Sequence, residues 1–223
     1  MDNETAERLL IFLTEAKPMN RTNIQHFLDH QYIPFSKKQC IQRILLIWAL
    51  SLVPVFVGKQ AVTWAFVLAV PNLIISILFV LLILRYPQSR MARYLCDGIT
   101  FLHLAVLLML SAYRIIAFAS GKNVLLLLLL AALLLVDLLV FFFLTLRNIA
   151  ADKYRPDNAN SCGAVIPYVF GAVGIVFAGV FLTSQRQKTA LTILAVCLMI
   201  LSLLIGIGSL NLLKAYFSFR RIP

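Results

Sequence analysis

Residues 123–146 read NVLLLLLLAALLLVDLLVFFFLTL, an apolar run interrupted by one carboxylate, Asp137, near its middle. A helix needs roughly 20 apolar residues to cross the hydrocarbon of a bilayer, and this run is longer. In lipid its backbone groups must be paired within the segment, so a helix is the form open to it. Composition extends the conclusion to the whole chain. Apolar residues make up 61% and charged residues 13%, against roughly 45–50% and 25% in a soluble domain, so a water-soluble fold of this length is excluded.

The hydropathy pattern predicts an all-α, polytopic bundle of six spans, at about residues 44–57, 61–84, 97–119, 123–146, 163–183 and 189–213. Together they define a transmembrane domain over residues 41–216, with 217–223 as a basic tail. The first span carries Trp48 and Pro54, and the second carries Pro71-Asn72 near its middle. Pro71 frees a backbone carbonyl, and Asn72 offers polar capacity at the same depth. No soluble domain is inserted between spans and no internal repeat is evident, so self-similarity gives no support to an inverted-repeat transporter.

Residues 1–40 are expected to form a helical hairpin on the bilayer surface or the end of the bundle. Residues 5–16 place Ala6, Leu9, Leu10 and Leu13 at helical spacing, with Pro18 as a stop. A second helix begins at Thr22, where Thr22-Asn23-Ile24-Gln25 fits a capping box, and ends before Pro34. His26 and His30 are four apart, but without a third ligand they are read as solvated polar-face residues and no metal or other cofactor is expected. Residues 1–39 carry no cleavable signal pattern, so the first apolar run is expected to direct insertion.

Lys and Arg exceed Asp and Glu by eleven charges, in small groups between apolar runs. That pattern points to anionic lipid rather than nucleic acid. With the N-terminus inside, fifteen basic residues fall on the cytoplasmic side and five, Lys59, Lys122, Arg186, Lys188 and Arg114, on or near the other. The positive-inside rule therefore predicts a multi-pass protein of the cytoplasmic membrane with both termini in the cytoplasm. Cys40, Cys96 and Cys162 then lie at the cytoplasmic boundary and Cys197 lies within the last span, so free thiols are expected.

Ionisable groups inside a membrane need a partner or a cavity. His103 lies roughly 24 Å from the outer end of the third span and Asp137 roughly 21 Å from that of the fourth, which puts them at one level on spans joined by a short loop. An imidazole–carboxylate pair would relieve the cost of each group in hydrocarbon. Arg114 shares a face with His103 near the outer surface, where it snorkels or lines an outward-opening cavity. Asn72, His103, Arg114 and Asp137 are thus the candidate ligand or intramembrane polar site. Thr100 joins Cys96, His103 and Arg114 in one stripe, and Asp97 is expected to be an interfacial charge partner near Arg93 and Arg147. Gly171, Gly174 and Ala178 on the fifth span, and Ser202, Gly206 and Ser209 on the sixth, form small-residue faces that permit close packing of those two spans or of a homo-oligomer.

Three function classes follow. The first is a small-molecule binding or transport subunit; six spans with both ends inside resemble, in architecture, the substrate-binding subunits of energy-coupling-factor importers. The second is a membrane adaptor or effector, with residues 1–40 meeting a protein partner. The third is carried by the order of an amphipathic N-terminus, two spans, a basic segment and Cys96 opening the third span. This layout resembles the integral-membrane cysteine peptidases that mature quorum-sensing peptides, which would make Cys96 a nucleophile. Residues 85–95, RYPQSRMARYL, hold neither the His nor the Gly that the family places before its Cys. Without a base there is no route to activation, and no catalytic residue is assigned.

Overall fold

The computed structural model describes residues 21–30, 36–56, 60–86, 89–121, 124–155 and 187–219. Its elements are α1 (Arg21–Asp29), α2 (Lys37–Phe56), α3 (Ala61–Arg85), α4 (Arg90–Ser120), α5 (Val124–Ala150), α6 (Gln187–Gly206), a 3-10 turn (Ile207–Leu210) and α7 (Asn211–Phe219). Among the described residues every element is helical, and five stretches are long and apolar enough to cross a bilayer, the last running from Leu191 through the 3-10 turn to Phe219. The apolar run at 163–183 and the helix expected at 5–16 lie outside the described residues.

The helices overrun their apolar runs. Ser89 caps α4 by accepting from Ala92 N at 3.4 Å, which starts the helix ahead of the run at 97 and makes Arg93, Cys96 and Asp97 helical. At the far end Gly121 takes φ 91° and returns its N–H to Ala117 O, a left-handed exit open to a residue without Cβ. The end of α5 uses Asp152 instead, at φ 51°. Lys153 N bonds to Asn148 O and Asp152 N to Ile149 O, the paired bonds of a Schellman motif that satisfy otherwise orphaned carbonyls.

The centre of the bundle is α4. Over half of its apolar window is buried (56%), against 11% for α5, although mean hydropathy ranks them the other way, 2.0 against 3.2. The Leu-rich run that identifies the chain as a membrane protein thus turns most of its surface outward, as Leu125, Leu128, Val136 and Phe143 do. Along α4, Cys96 meets Cys40 of α2 and Arg114 meets Pro54, so α2 and α4 run in the same direction. Ala105 meets Ser202, Phe101 meets Gly208 and Gly98 meets Leu212, so α6 and α7 run antiparallel to α4.

One end of the bundle therefore gathers the starts of α2 and α4 and the finishes of α3, α5 and α7, with Arg43, Arg85, Arg90, Arg93, Arg147 and Lys214 near it. We call this the basic end. α5 finishes there, whereas α6 starts at the opposite end. Across the basic end lies α1, burying Ile24 and Phe27 against Ile149 and Leu213.

Candidate functional site

Polar contacts are distributed along the whole length of the bundle. At the basic end Asp97 receives two guanidiniums: Arg93 Nε lies 2.7 Å from Oδ2, one turn back on the same helix, and Arg43 of α2 reaches Oδ1. Arg93 also donates to Gln39. Asp97 is buried, and a buried carboxylate needs such pairing because water is not there to solvate it. Its partners are Arg43 and Arg93, on α2 and α4, which makes the interfacial charge partner a clamp between two helices.

Beside the clamp the Sγ atoms of Cys40 and Cys96 stand 3.8 Å apart, both fully buried. Thr100 Oγ1 donates to Cys96 O at 2.7 Å. The group that meets the Cys96 sulfur is a second thiol rather than an imidazole.

α1 is fastened over this region through its own orphaned carbonyls. Tyr94 Oη donates to Leu28 O, and Lys214 Nζ donates to His30 O at 2.7 Å while lying 5.1 Å from the Phe27 ring centre. A cation at a helix C-terminus is favoured by the aligned peptide dipoles. Arg90 pairs with Asp29 at 2.6 Å, Asn23 Nδ2 donates to Ala150 O at 3.2 Å, and His26 Nδ1 lies 2.9 Å from Asp152 Oδ1. The two histidines are thus not solvated polar-face residues. His26 takes an acidic partner from the end of α5, and the His30 ring packs edge-on against Tyr154 at 5.3 Å. Burial, and secondarily the charge of Lys214, hold the His30 imidazole below its ordinary 6.5.

Within the bundle, His103 Nε2 donates to Asn72 Oδ1 at 2.8 Å. Asn72 O in turn accepts from Ser76 Oγ at 2.7 Å, and Ser76 Oγ accepts from Trp48 Nε1 at 3.1 Å. The result is a polar relay joining α2, α3 and α4. His103 is thus bonded to Asn72 and not to Asp137. Equal depth is not equal face: α4 presents Leu102, Val106, Met109 and Leu110 towards α5, where they line an apolar groove of about 250 Å³ with Leu130 and Leu134, and His103 is turned towards α3. Asp137 faces α6 instead. A Cβ on Gly206 would lie 3.6 Å from its Oδ2, and among the described residues that buried oxygen, like Asn72 Nδ2, has no hydrogen-bond partner.

Rather than reaching outward to the surface, Arg114 is buried among the described residues. Its Nε donates to Pro54 O at 3.1 Å and its guanidinium carbon lies 5.0 Å from the Trp64 ring centre. Pro54 O belongs to the last turn of α2, where carbonyls lack intrahelical partners, so Arg114 caps that helix from the side. The four candidate residues therefore fall into three separate contacts.

The small face of the last span is engaged by α4 and α5. Ser202 is fully buried and donates to Ala105 O at 2.7 Å, Gly206 abuts Leu134, Asp137 and Leu138, and Ser209 is buried. Gly171, Gly174 and Ala178 lie outside the described residues. Sequence reasoning passed over the Cys40–Cys96 contact. Both residues sit within two turns of the starts of helices that begin at one end, so a comparison of depth alone could have paired them. Among the described residues no group of three His, Cys, Asp or Glu side chains could hold a metal ion. Comparison with protein families, curated proteins and solved structures gave no match to this chain.

Proposed function

We propose that this protein is a partner-binding scaffold of the cytoplasmic membrane, an adaptor or effector with six spans and both termini in the cytoplasm, rather than a transporter or an enzyme. The observation that carries the reading is the dispersal of Asn72, His103, Arg114 and Asp137, among the described residues, into three separate helix-to-helix contacts. Intramembrane polar groups used this way lock helices together. Among the described residues α1 offers a face for a partner, with Arg21, Thr22, Gln25 and Asp29 exposed and polar. The basic rim around it suits anionic lipid headgroups.

Two features support six crossings. α5 finishes at the basic end and α6 starts at the opposite end, and the sequence between them contains an apolar run at 163–183 of a length suited to a further crossing. The excess of fifteen basic residues over five then orients the bundle with its basic end inside. A membrane-embedded cysteine peptidase is disfavoured by the thiol, in place of a base, at Cys96. A binding or transport subunit is the second reading, favoured by Asp137 Oδ2, which has no hydrogen-bond partner among the described residues, and by the apolar groove that its neighbours Leu134 and Leu138 line.

The test is water access to the relay. Asn72→Cys and His103→Cys are made in a chain whose four native cysteines are replaced by serine, and intact membranes are exposed to a membrane-impermeant thiosulfonate from each side. Arg21→Cys, on the exposed face of α1, is the reactive control. A sealed scaffold leaves both relay positions unlabelled from either side. Labelling of both from one side would overturn the reading in favour of binding or transport.

A further inference from the structure

The scaffold reading gives no task to Cys40 and Cys96. They lie on different helices, Cys40 in the first turn of α2 and Cys96 in the second turn of α4, and both are fully buried with their sulfurs 3.8 Å apart. A disulfide needs the sulfurs at about 2.0 Å, so closure asks for roughly 1.8 Å of approach shared between two side chains. Among the described residues no group of three His, Cys, Asp or Glu side chains could hold a metal ion, so the pair lacks the ligand set of a zinc site. Arg43 stands one turn along α2 from Cys40 and, with Arg93, surrounds Asp97.

We propose that Cys40 and Cys96 are a redox pair that hydrogen peroxide closes to a disulfide, covalently joining the starts of α2 and α4. One sulfur, as thiolate, attacks a peroxide oxygen and breaks the O–O bond, giving a sulfenic acid and a hydroxide that takes up a proton. The second thiolate attacks the sulfenic sulfur, forming the S–S bond and expelling hydroxide, which is protonated to water. Two thiols and one peroxide thus yield one disulfide and two waters; each sulfur gives up one electron and the peroxide is reduced. Because neither sulfur is exposed to water, the oxidant has to be small and uncharged, and a bulky disulfide such as oxidised glutathione is excluded from exchange. Closure fixes the end of the bundle on which α1 rests.

The experiment counts thiols on the full-length protein in its membrane. Membranes are treated with hydrogen peroxide, quenched with catalase and denatured; remaining thiols are alkylated with a maleimide and the chain is digested for mass mapping. The expected result is loss of two of the four alkylatable thiols, a cross-linked peptide containing Cys40 and Cys96, and recovery of all four after dithiothreitol. Cys197→Ser keeps the two-thiol loss, and Cys96→Ser abolishes it. Oxidised glutathione at the same exposure leaves four thiols. Four thiols surviving peroxide, a cross-link through Cys162 or Cys197, or sulfinic acid that dithiothreitol does not reverse would each overturn the proposal. Closure by oxidised glutathione would overturn its size selectivity. The wild-type peptide map assigns the linkage directly, so a poorly folded Cys96→Ser chain does not decide the matter.

Discussion

Gly98→Ala adds one methyl group where α4 crosses α7. The new Cβ would stand 2.6 Å from Leu212 Cγ and 2.7 Å from Leu212 N, where ordinary contact begins at 3.4 Å. The Leu212 side chain can rotate away, but its backbone nitrogen cannot. The two helices must therefore part by about 0.7 Å along that contact, and overpacking of this kind costs about 1–3 kcal/mol. Alanine also gains up to about 1 kcal/mol over glycine within a helix, which partly masks the clash. Gly206→Ala separates the two effects, because its Cβ would meet Leu138, Asp137 and Leu134 at 3.5, 3.6 and 3.7 Å and so carries the propensity gain without the clash. The stability difference between the two variants is then about 1–3 kcal/mol, or roughly 5- to 150-fold in the folding equilibrium. Unfolding in mixed micelles, titrated with sodium dodecyl sulfate and followed by far-ultraviolet circular dichroism, measures it. Equal midpoints for Gly98→Ala and Gly206→Ala would refute the close approach of α4 and α7.

Three further outcomes follow from other contacts. His103→Leu and Asn72→Leu should each cost about 1–2 kcal/mol in the same assay, and the double variant less than their sum, since each single change strands the other's polar group; strict additivity would show that the two are not coupled. Arg114→Leu uncovers the Pro54 carbonyl at the end of α2 and removes the charge stacked on Trp64, which should cost about 1–3 kcal/mol, with Arg114→Lys retaining part of it; wild-type stability in Arg114→Leu would contradict the cap. The third concerns pH. His30 titrates below 6.5 because burial and Lys214 disfavour its cation, so the folded state binds this proton less readily than the free chain. Docking of α1 is then complete above 6.5 and weakens as pH falls from there through the lower folded value. Amide hydrogen exchange in α1, corrected for intrinsic rates, should show less protection at acidic than at neutral pH, and His30→Asn should diminish the difference. Unchanged protection would contradict the burial of His30.

Hydropathy made the spanning helices legible because lipid leaves a backbone so few choices, and the positions of Trp48, Pro54, Asn72, His103 and Asp137 along their helices followed from rise per residue alone. What depth could not supply was azimuth. His103 and Asp137 were placed at one level, yet a rotation of one residue on α4 sends the imidazole to Asn72 and leaves Leu102 and Val106 facing α5. Hydropathy measures apolarity, not burial: α5 is the most apolar of the five described spans and the least buried, since a lipid-facing helix needs no polar partner, whereas α4 carries Asp97, Thr100, His103, Ser111 and Arg114 because neighbouring helices satisfy them. Helix ends were hidden for a related reason. Lys37, Lys38, Arg90 and Arg93 look like loop residues in a hydropathy window but sit in first turns that extend beyond the apolar core. The motif closing α5 went unseen because its left-handed residue is Asp152 rather than glycine.

The most direct test of a six-span bundle with its basic end in the cytoplasm is a paired topology reporter, one half active only inside the cell and the other only outside, fused after Arg155, after Arg186 and after Pro223. The expected pattern is cytoplasmic signal at Arg155 and Pro223 and extracytoplasmic signal at Arg186. Arg155 and Arg186 on the same side, or Pro223 outside, would contradict both the sixth crossing and the orientation on which the scaffold reading stands.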